Sequence, residues 1–410
     1  MKLLPSLGIA LALHAGFASA EPPAFDIQLD TISSGFDKIS CWVHPRAGAI
    51  PTAAGAMPVV VLTMQKAMLS GSDVFGALNE MRTDDLGKTW SGPLEHAAAL
   101  GRRDEPGGIV VAACDFWPKW HAKSGKLLGI GHDVRYKENK VMAVRPRETV
   151  FSVYDPRQRE WTAWETLGMP DGDRFYNAGA GCAQRVDLPD GDILLPIYFT
   201  PKGEKFGRVA VLRCGFDGRH LSVKEIGNEL RMDGDRGLDE PSLTRFQGRY
   251  YLTLRQDKAA YVSAGDDGLH FSEPRQWLWD DGTDLGSYNT QAHWVAHDNG
   301  LFLVYTRRGA NNDHIPRNRA PLFIGQVDTE KLRVIRASER ELMPQRGAKL
   351  GNFGVTEVNE NETWVTDAEW MQTNPPNFAD YTACMKYGSN NAVFVARIQW
   401  KKPNKSWNQH

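Results

Sequence analysis

The sequence predicts an all-β fold, a propeller of six blades with seven as the alternative count. Two observations carry this reading. First, short apolar or alternating runs recur along the chain: MPVVVLTM, VFGALNEM, KLLGIGH, ETVFSVY, DILLPIYF, RVAVLRC, RYYLTLR, AAYVSA, LFLVYTR, APLFIGQV, ETWVTDAEW and AVFVARIQW. Gly, Asp, Asn and Pro turns such as KSGK, LPDGD, FDGR, FQGR, GDDG and HDNG separate them, and no long helix-period segment intervenes. Second, roughly two dozen such runs at four strands per blade give about six blades. Residues 21–410 show no composition break, so they read as one domain.

The turns say why the runs should form blades. In TDDLGKTW, Thr83 to Trp90, an Asp side chain accepts backbone N–H groups across a hairpin, Gly takes a positive φ, and the aromatic packs beneath. A weaker copy, AGDDGLHF, puts Asp266 and Gly268 at the matching places with Phe271 for the Trp. FDGRHLS and DPRQREWTAW read as decayed versions. Hairpin staples repeated at intervals of some tens of residues imply a blade array. Asp85, Asp266 and Trp90 are therefore structural residues.

Composition bounds the function. A net charge of −2 and no basic run exclude a nucleic-acid groove or a basic membrane helix. MKLLPSLGIALALHAGFASA has Lys2, a short apolar run and Ala18-Ser19-Ala20, which reads as a secretory signal peptide cut near Ala20. The expected location is therefore secreted or periplasmic, with no membrane span. The five cysteines, Cys41, Cys114, Cys182, Cys214 and Cys384, are widely spaced and most lie in strand-like runs, so they read as buried small hydrophobes. No dense His, Asp or Cys spacing points to a metal, and no cofactor is expected.

TDDLGKTW fits the Asp-box pattern, and with it the chain resembles the sialidase (neuraminidase) superfamily of β-propellers from about Cys41 to Trp400. VFVARIQW near the end is placed to pair with N-terminal residues and close the ring. The resemblance implies roles for several residues. HPRAGAIP supplies Arg46 as a carboxylate-binding Arg, in a stretched Arg-Ile-Pro motif. Asp73, twelve residues before Asp85, is the implied general acid/base. DEPSLTRFQGRYYLTLR supplies Glu240 and a second carboxylate-binding Arg255, and GSYNTQAHW offers Tyr288 as nucleophile. The family's third Arg precedes the Tyr. Here only Arg275 lies between Arg255 and Tyr288, while Arg307, Arg308, Arg317 and Arg319 follow in the polar loop TRRGANNDHIPRNR. Arg308 is taken from that loop as a substrate-binding candidate. Guanidinium forks suit a sugar carboxylate, and a Tyr beside a Glu can attack an anomeric carbon.

A second resemblance is to propeller-fold polysaccharide lyases of the ulvan or rhamnose–glucuronate type. Such sites pair His and Tyr with Arg residues that neutralise a uronate. DFWPKWHAKSGKLLGIGHDVRY carries His121 and His132, and the strands after it carry Tyr198 and Arg213, with Arg255 serving again. Arg185 either binds substrate or only pairs with Asp187. His121 and His132 read equally as interior residues of strands, and Glu240 as a turn cap before Pro241.

The expected function is cleavage of a glycosidic bond at a carboxylated sugar, with sialidase-like hydrolysis ahead of β-elimination beside a uronate. A propeller that binds carbohydrate without cleaving it is the third class. The expected partner is an acidic oligo- or polysaccharide. The sugar, the linkage and the oligomeric state are open.

Overall fold

The computed structural model describes residues 24–52, 56–143, 146–374 and 377–407. The expected signal peptide lies outside the described residues. Among those described, no helix is long and apolar enough to cross a membrane.

The strands form six antiparallel sheets, taken here as blades I to VI in chain order. Each blade has an inner strand beside the axis. These are Ser40–Ile50, Ile109–His121, the broken pair Asn177–Gly179 and Val186–Asp187, Asp239–Phe246, His293–His297 and Gly354–Asn359. Successive blades touch through their inner strands, blade III meeting the second and third strands of blade II, and blade VI returns to blade I. The apolar runs of the sequence fall in these sheets because alternating and continuous apolar patterns both suit strands packed between neighbouring blades.

The ring closes as the sequence predicts. Phe25–Ser33 pairs antiparallel with Val393–Trp400 in the register Phe25 to Trp400, and so forms the outermost strand of blade VI. Phe25 and Trp400 then pack edge to face at 5.3 Å beside Phe302 of blade V. Two chain ends thus share one sheet, and the last blade cannot open without breaking that ladder.

The staples form at the outer hairpins. Asp85 accepts from the Thr89 N–H at 2.9 Å and from the Thr89 hydroxyl at 2.6 Å, Gly87 takes φ 77°, and Trp90 lies 6.0 Å from Trp364 of blade VI. In blade IV the bonding role falls one residue later than the sequence suggests. Asp267 accepts from the N–H groups of Leu269 and His270, while Asp266 is exposed and only faces Arg249. The reason is local: an Asx turn bonds the N–H groups two and three residues on, and only Asp267 has that offset. Asp155, Asp217 and Asp328 make the same turn after the third strands of blades II, III and V. All five cysteines are free and buried, as their apolar settings suggest.

Candidate functional site

At one end of the axis the inner strands depart from regular geometry together. The ladder of blade I skips between Val43 and Arg46, that of blade II between Cys114 and Trp117, and that of blade IV between Asp239 and Ser242. At this level His44, Asp115, Cys182, Glu240, Asn289 and Gly351 all have positive φ, one from each blade in turn. Such a conformation costs a non-glycine residue about 1–3 kcal/mol. Bulges re-aim side chains, and here they turn polar groups toward the axis.

The result is a polar cavity of about 200 Å³. Its charged walls include Arg147, Arg236, Arg255, Arg317, Arg319 and Lys349 against Asp73, Asp115, Asp239 and Glu240. Cations outnumber carboxylates, which suits an anionic ligand.

Asp115 organises one side. Its carboxylate faces Arg46 at 3.1 Å, His44 and His132 at 3.4 Å each, and accepts from the Cys182 thiol at 2.9 Å. Burial pushes its carboxyl up, but His44, Arg46 and His132 together hold it far below the usual range. Cys114, Asp115 and His132 also bring potential metal-ligating atoms within 4.8 Å of one another. The Asp115 charge is already matched by Arg46, so these contacts account for the cluster without an ion.

Tyr198 enters from the second strand of blade III. Its ring meets His132 edge-on at 6.1 Å, and the Arg147 guanidinium lies 4.7 Å over its face. Burial pushes the Tyr198 hydroxyl well above its ordinary range, opposed by Arg147, so it stays protonated. Glu240 is bound by Arg255, which also donates to Asn289 at 2.7 Å. Burial raises the Glu240 carboxyl, but the Arg255 charge holds it low.

The structure brings Asp73, His132, Tyr198, Glu240 and Arg255 to this one cavity. Arg46 lies just beneath it, fully buried, its Nε donating to the Phe353 carbonyl at 3.2 Å. The bulge explains the difference: an extra residue shifts the in–out alternation, so His44 lines the cavity in place of Arg46.

The remaining candidates lie elsewhere. His121 sits at the opposite end of its strand, its ring held by Ser124 and the Gly191 carbonyl at 2.9 Å each. Arg185 is at that same end, spent on Asp187 and the carbonyls of Leu128 and Lys119. Arg213, on the third strand of blade III, pairs with Asp190 and Asp192 at the turn that leads into the second strand. Tyr288 donates to Asn318 at 2.7 Å with Arg308 stacked 4.1 Å over its ring, on the rim of blade V and outside the cavity walls. The sequence reading did not single out His44, Asp115, Arg147, Lys349 or Trp370. Only Arg317 and Arg319 carried a signal, through their polar loop.

No family model and no curated protein matches the sequence. Solved structures do. A Dyadobacter fermentans protein of unknown function superposes with TM-score 0.57 at 13% identity, over 92% of this chain and 99% of its own. A Hadza microbial sialidase gives 0.59 at 14%, over 90% and 68%. Trypanosoma rangeli sialidase with the inhibitor DANA gives 0.56 at 13%, over 92% of this chain and 60% of the larger enzyme. Sheet order, ring closure and these neighbours agree: the chain has a sialidase-like β-propeller fold.

Proposed function

We propose that the protein cleaves a glycosidic bond beside a carboxylated sugar in the polar axial cavity, by β-elimination. The observation that carries this reading is the grouping of a protonated Tyr198 with His132, Arg147 and Arg255 in one cavity. Arg147 and Arg255 would neutralise the sugar carboxylate and so acidify the neighbouring C–H. Tyr198 has a proton to give to the departing oxygen, and burial keeps that proton in place. Export after cleavage near Ala20 fits a polymeric substrate met outside the cell.

Hydrolysis is the second reading. Asp73 and Glu240 line the same cavity, and a neighbour of this fold is a sialidase solved with sialic acid. Tyr288, the nucleophile that this chemistry would use, is not a cavity wall, which is why elimination comes first. Incubating the purified protein with sialosides and with uronate polymers separates the two. Near-ultraviolet absorbance from an unsaturated product supports elimination. Free sialic acid or reducing sugar without absorbance overturns it in favour of hydrolysis.

A further inference from the structure

Elimination needs a free base as well as an acid and a carboxylate clamp. Most basic groups of the cavity are engaged. His132 Nδ1 faces the Asp133 carbonyl at 3.1 Å and its Nε2 faces Asp115. His44 is held by packing, wedged between Phe75 and Trp370 with Nδ1 3.4 Å from Asp115 and no hydrogen bond formed there. Glu240 is held by Arg255.

Lys349 differs. It lies on the approach to the inner strand of blade VI, its carbonyl accepting from the Trp370 N–H at 2.9 Å. It is 9% exposed, and its amine stands 4.7 Å from the Trp370 ring with no carboxylate in ion-pair reach among the described residues. The charged and titratable groups facing it are Arg317 and Arg319, with Asp73, Cys41 and Cys384. Burial first, then Arg319 and Arg317, push this amine down to about 7, so near neutral pH a large fraction is uncharged.

We propose that Lys349 is the base of the elimination, and that it works across the cavity from Tyr198, so that proton removal and leaving-group protonation occur on opposite faces of the sugar. This rests on the elimination reading above. Blades III and VI stand opposite each other in a six-bladed ring, and they supply Tyr198 and Lys349 respectively. The amine lone pair takes the proton from C5. The C5–H pair becomes the C4–C5 double bond, and the C4–O bond leaves with its electrons. The departing oxygen takes the Tyr198 proton, and solvent returns the proton on Lys349 to the phenolate. The step consumes no water and no oxidant. The geometry selects uronates whose C5–H and C4–O bonds lie on opposite ring faces: galacturonate, guluronate and iduronate. Glucuronate and mannuronate carry both bonds on one face.

The test uses the mature protein with polygalacturonate, guluronate-rich alginate and dermatan on one side, and glucuronan and mannuronan on the other. Expected is near-ultraviolet absorbance from the first group and little from the second. Lys349→Arg keeps the charge but removes the titrating base, so kcat should fall at least about 100-fold with substrate binding retained. The wild-type rate should climb with pH until about 7 and then level, and the variant's residual rate should lack that limb. Reductive methylation with labelled formaldehyde, followed by NMR, reads the amine directly, with the Lys349 signal assigned by its loss in the variant. Titration near the ordinary lysine value of ~10.4 overturns the assignment whatever the substrate proves to be. Cleavage of uronates by wild type and Lys349→Arg at equal rates sinks the base but spares the elimination reading. Preference for glucuronan or mannuronan sinks the opposite-face geometry. No absorbance from any uronate sinks both this inference and the reading beneath it.

Discussion

The two ends of the propeller axis are built from the same inner strands, yet they differ in almost every physical respect. At the first end the strands are bulged, positive φ recurs blade by blade, and charged side chains surround a cavity of about 200 Å³. At the other end the ladders of blades I, II, IV and V run without a register shift. The later residues of the inner strands, among them Trp117, Trp120, Val186, Trp294 and Val355, line a cavity of about 130 Å³. Trp407 also lines that cavity, from a tail fixed by Asn404 to Ala296, Asp298 and Glu360. Where charged groups do occur there, as at Arg185 and Lys119, they are satisfied within the protein. The lesson is a division of labour along each strand. One half stores strain and unspent charge, and the other half supplies the packing that holds the strained half in place.

Substitutions at the two ends should therefore fail in different ways. The largest effect belongs to Tyr198→Phe. It removes one hydroxyl from the cavity, so turnover should fall about 10²–10⁴-fold while the melting curve stays put. An unchanged kcat would remove Tyr198 from the chemistry. Trp294→Ala should do the reverse. This side chain is fully buried, bonds the Ser242 carbonyl at 2.9 Å, and packs on Trp277, so its loss should cost about 3–5 kcal/mol by denaturant titration. Turnover per folded molecule should survive, and a specific loss of kcat at full stability would blur the contrast.

A smaller effect sharpens the claim about strain. Arg317 has φ 60° and lines the cavity. Arg317→Gly should stabilise the fold by about 1 kcal/mol, because glycine takes that conformation freely, and should weaken substrate binding through the lost cation. Equal or lower stability would show that the strain is not relieved. The smallest effect lies outside both ends. Side-chain and backbone bonds from Thr89, with one from Thr83, hold the Asp85 carboxyl down to about 2, so its stabilising contribution is present above the ordinary carboxyl value and fades as pH falls toward 2. Asp85→Ala should lower the melting temperature slightly at pH 7, with the gap closing in acid and kcat unchanged.

How much of this was legible depended on whether the signal was local. The strands, the Asp turns and the closure of Val393–Trp400 on an N-terminal strand could be read because period-two patterning and turn chemistry act within a few residues. Even there, the choice between Asp266 and Asp267 needed the turn's actual offset. Of the site candidates, Glu240 and Arg255 share a hairpin, Asp239 pairing with Arg255 across it, so spacing could link them. Tyr198, His132 and Lys349 come from blades III, II and VI, and no spacing connects them. Arg46 and His44 stand two residues apart on one strand, and only the bulge between Val43 and Arg46 decided which of them faces the cavity.

The sequence by itself determined the class of fold, the turn chemistry and the kind of groups available for a site, because these follow from propensities and patterns along the chain. Tertiary structure alone decided which charges go unspent. Arg185 and Arg213 stood out in the sequence and Arg147 did not, yet Arg185 and Arg213 each found carboxylates or carbonyls of their own, whereas Arg147 lines the cavity stacked over Tyr198. Where the fold withholds a carboxylate partner among the described residues, as at Arg147, the charge is left for a ligand, and that outcome is set by residues far away in the chain.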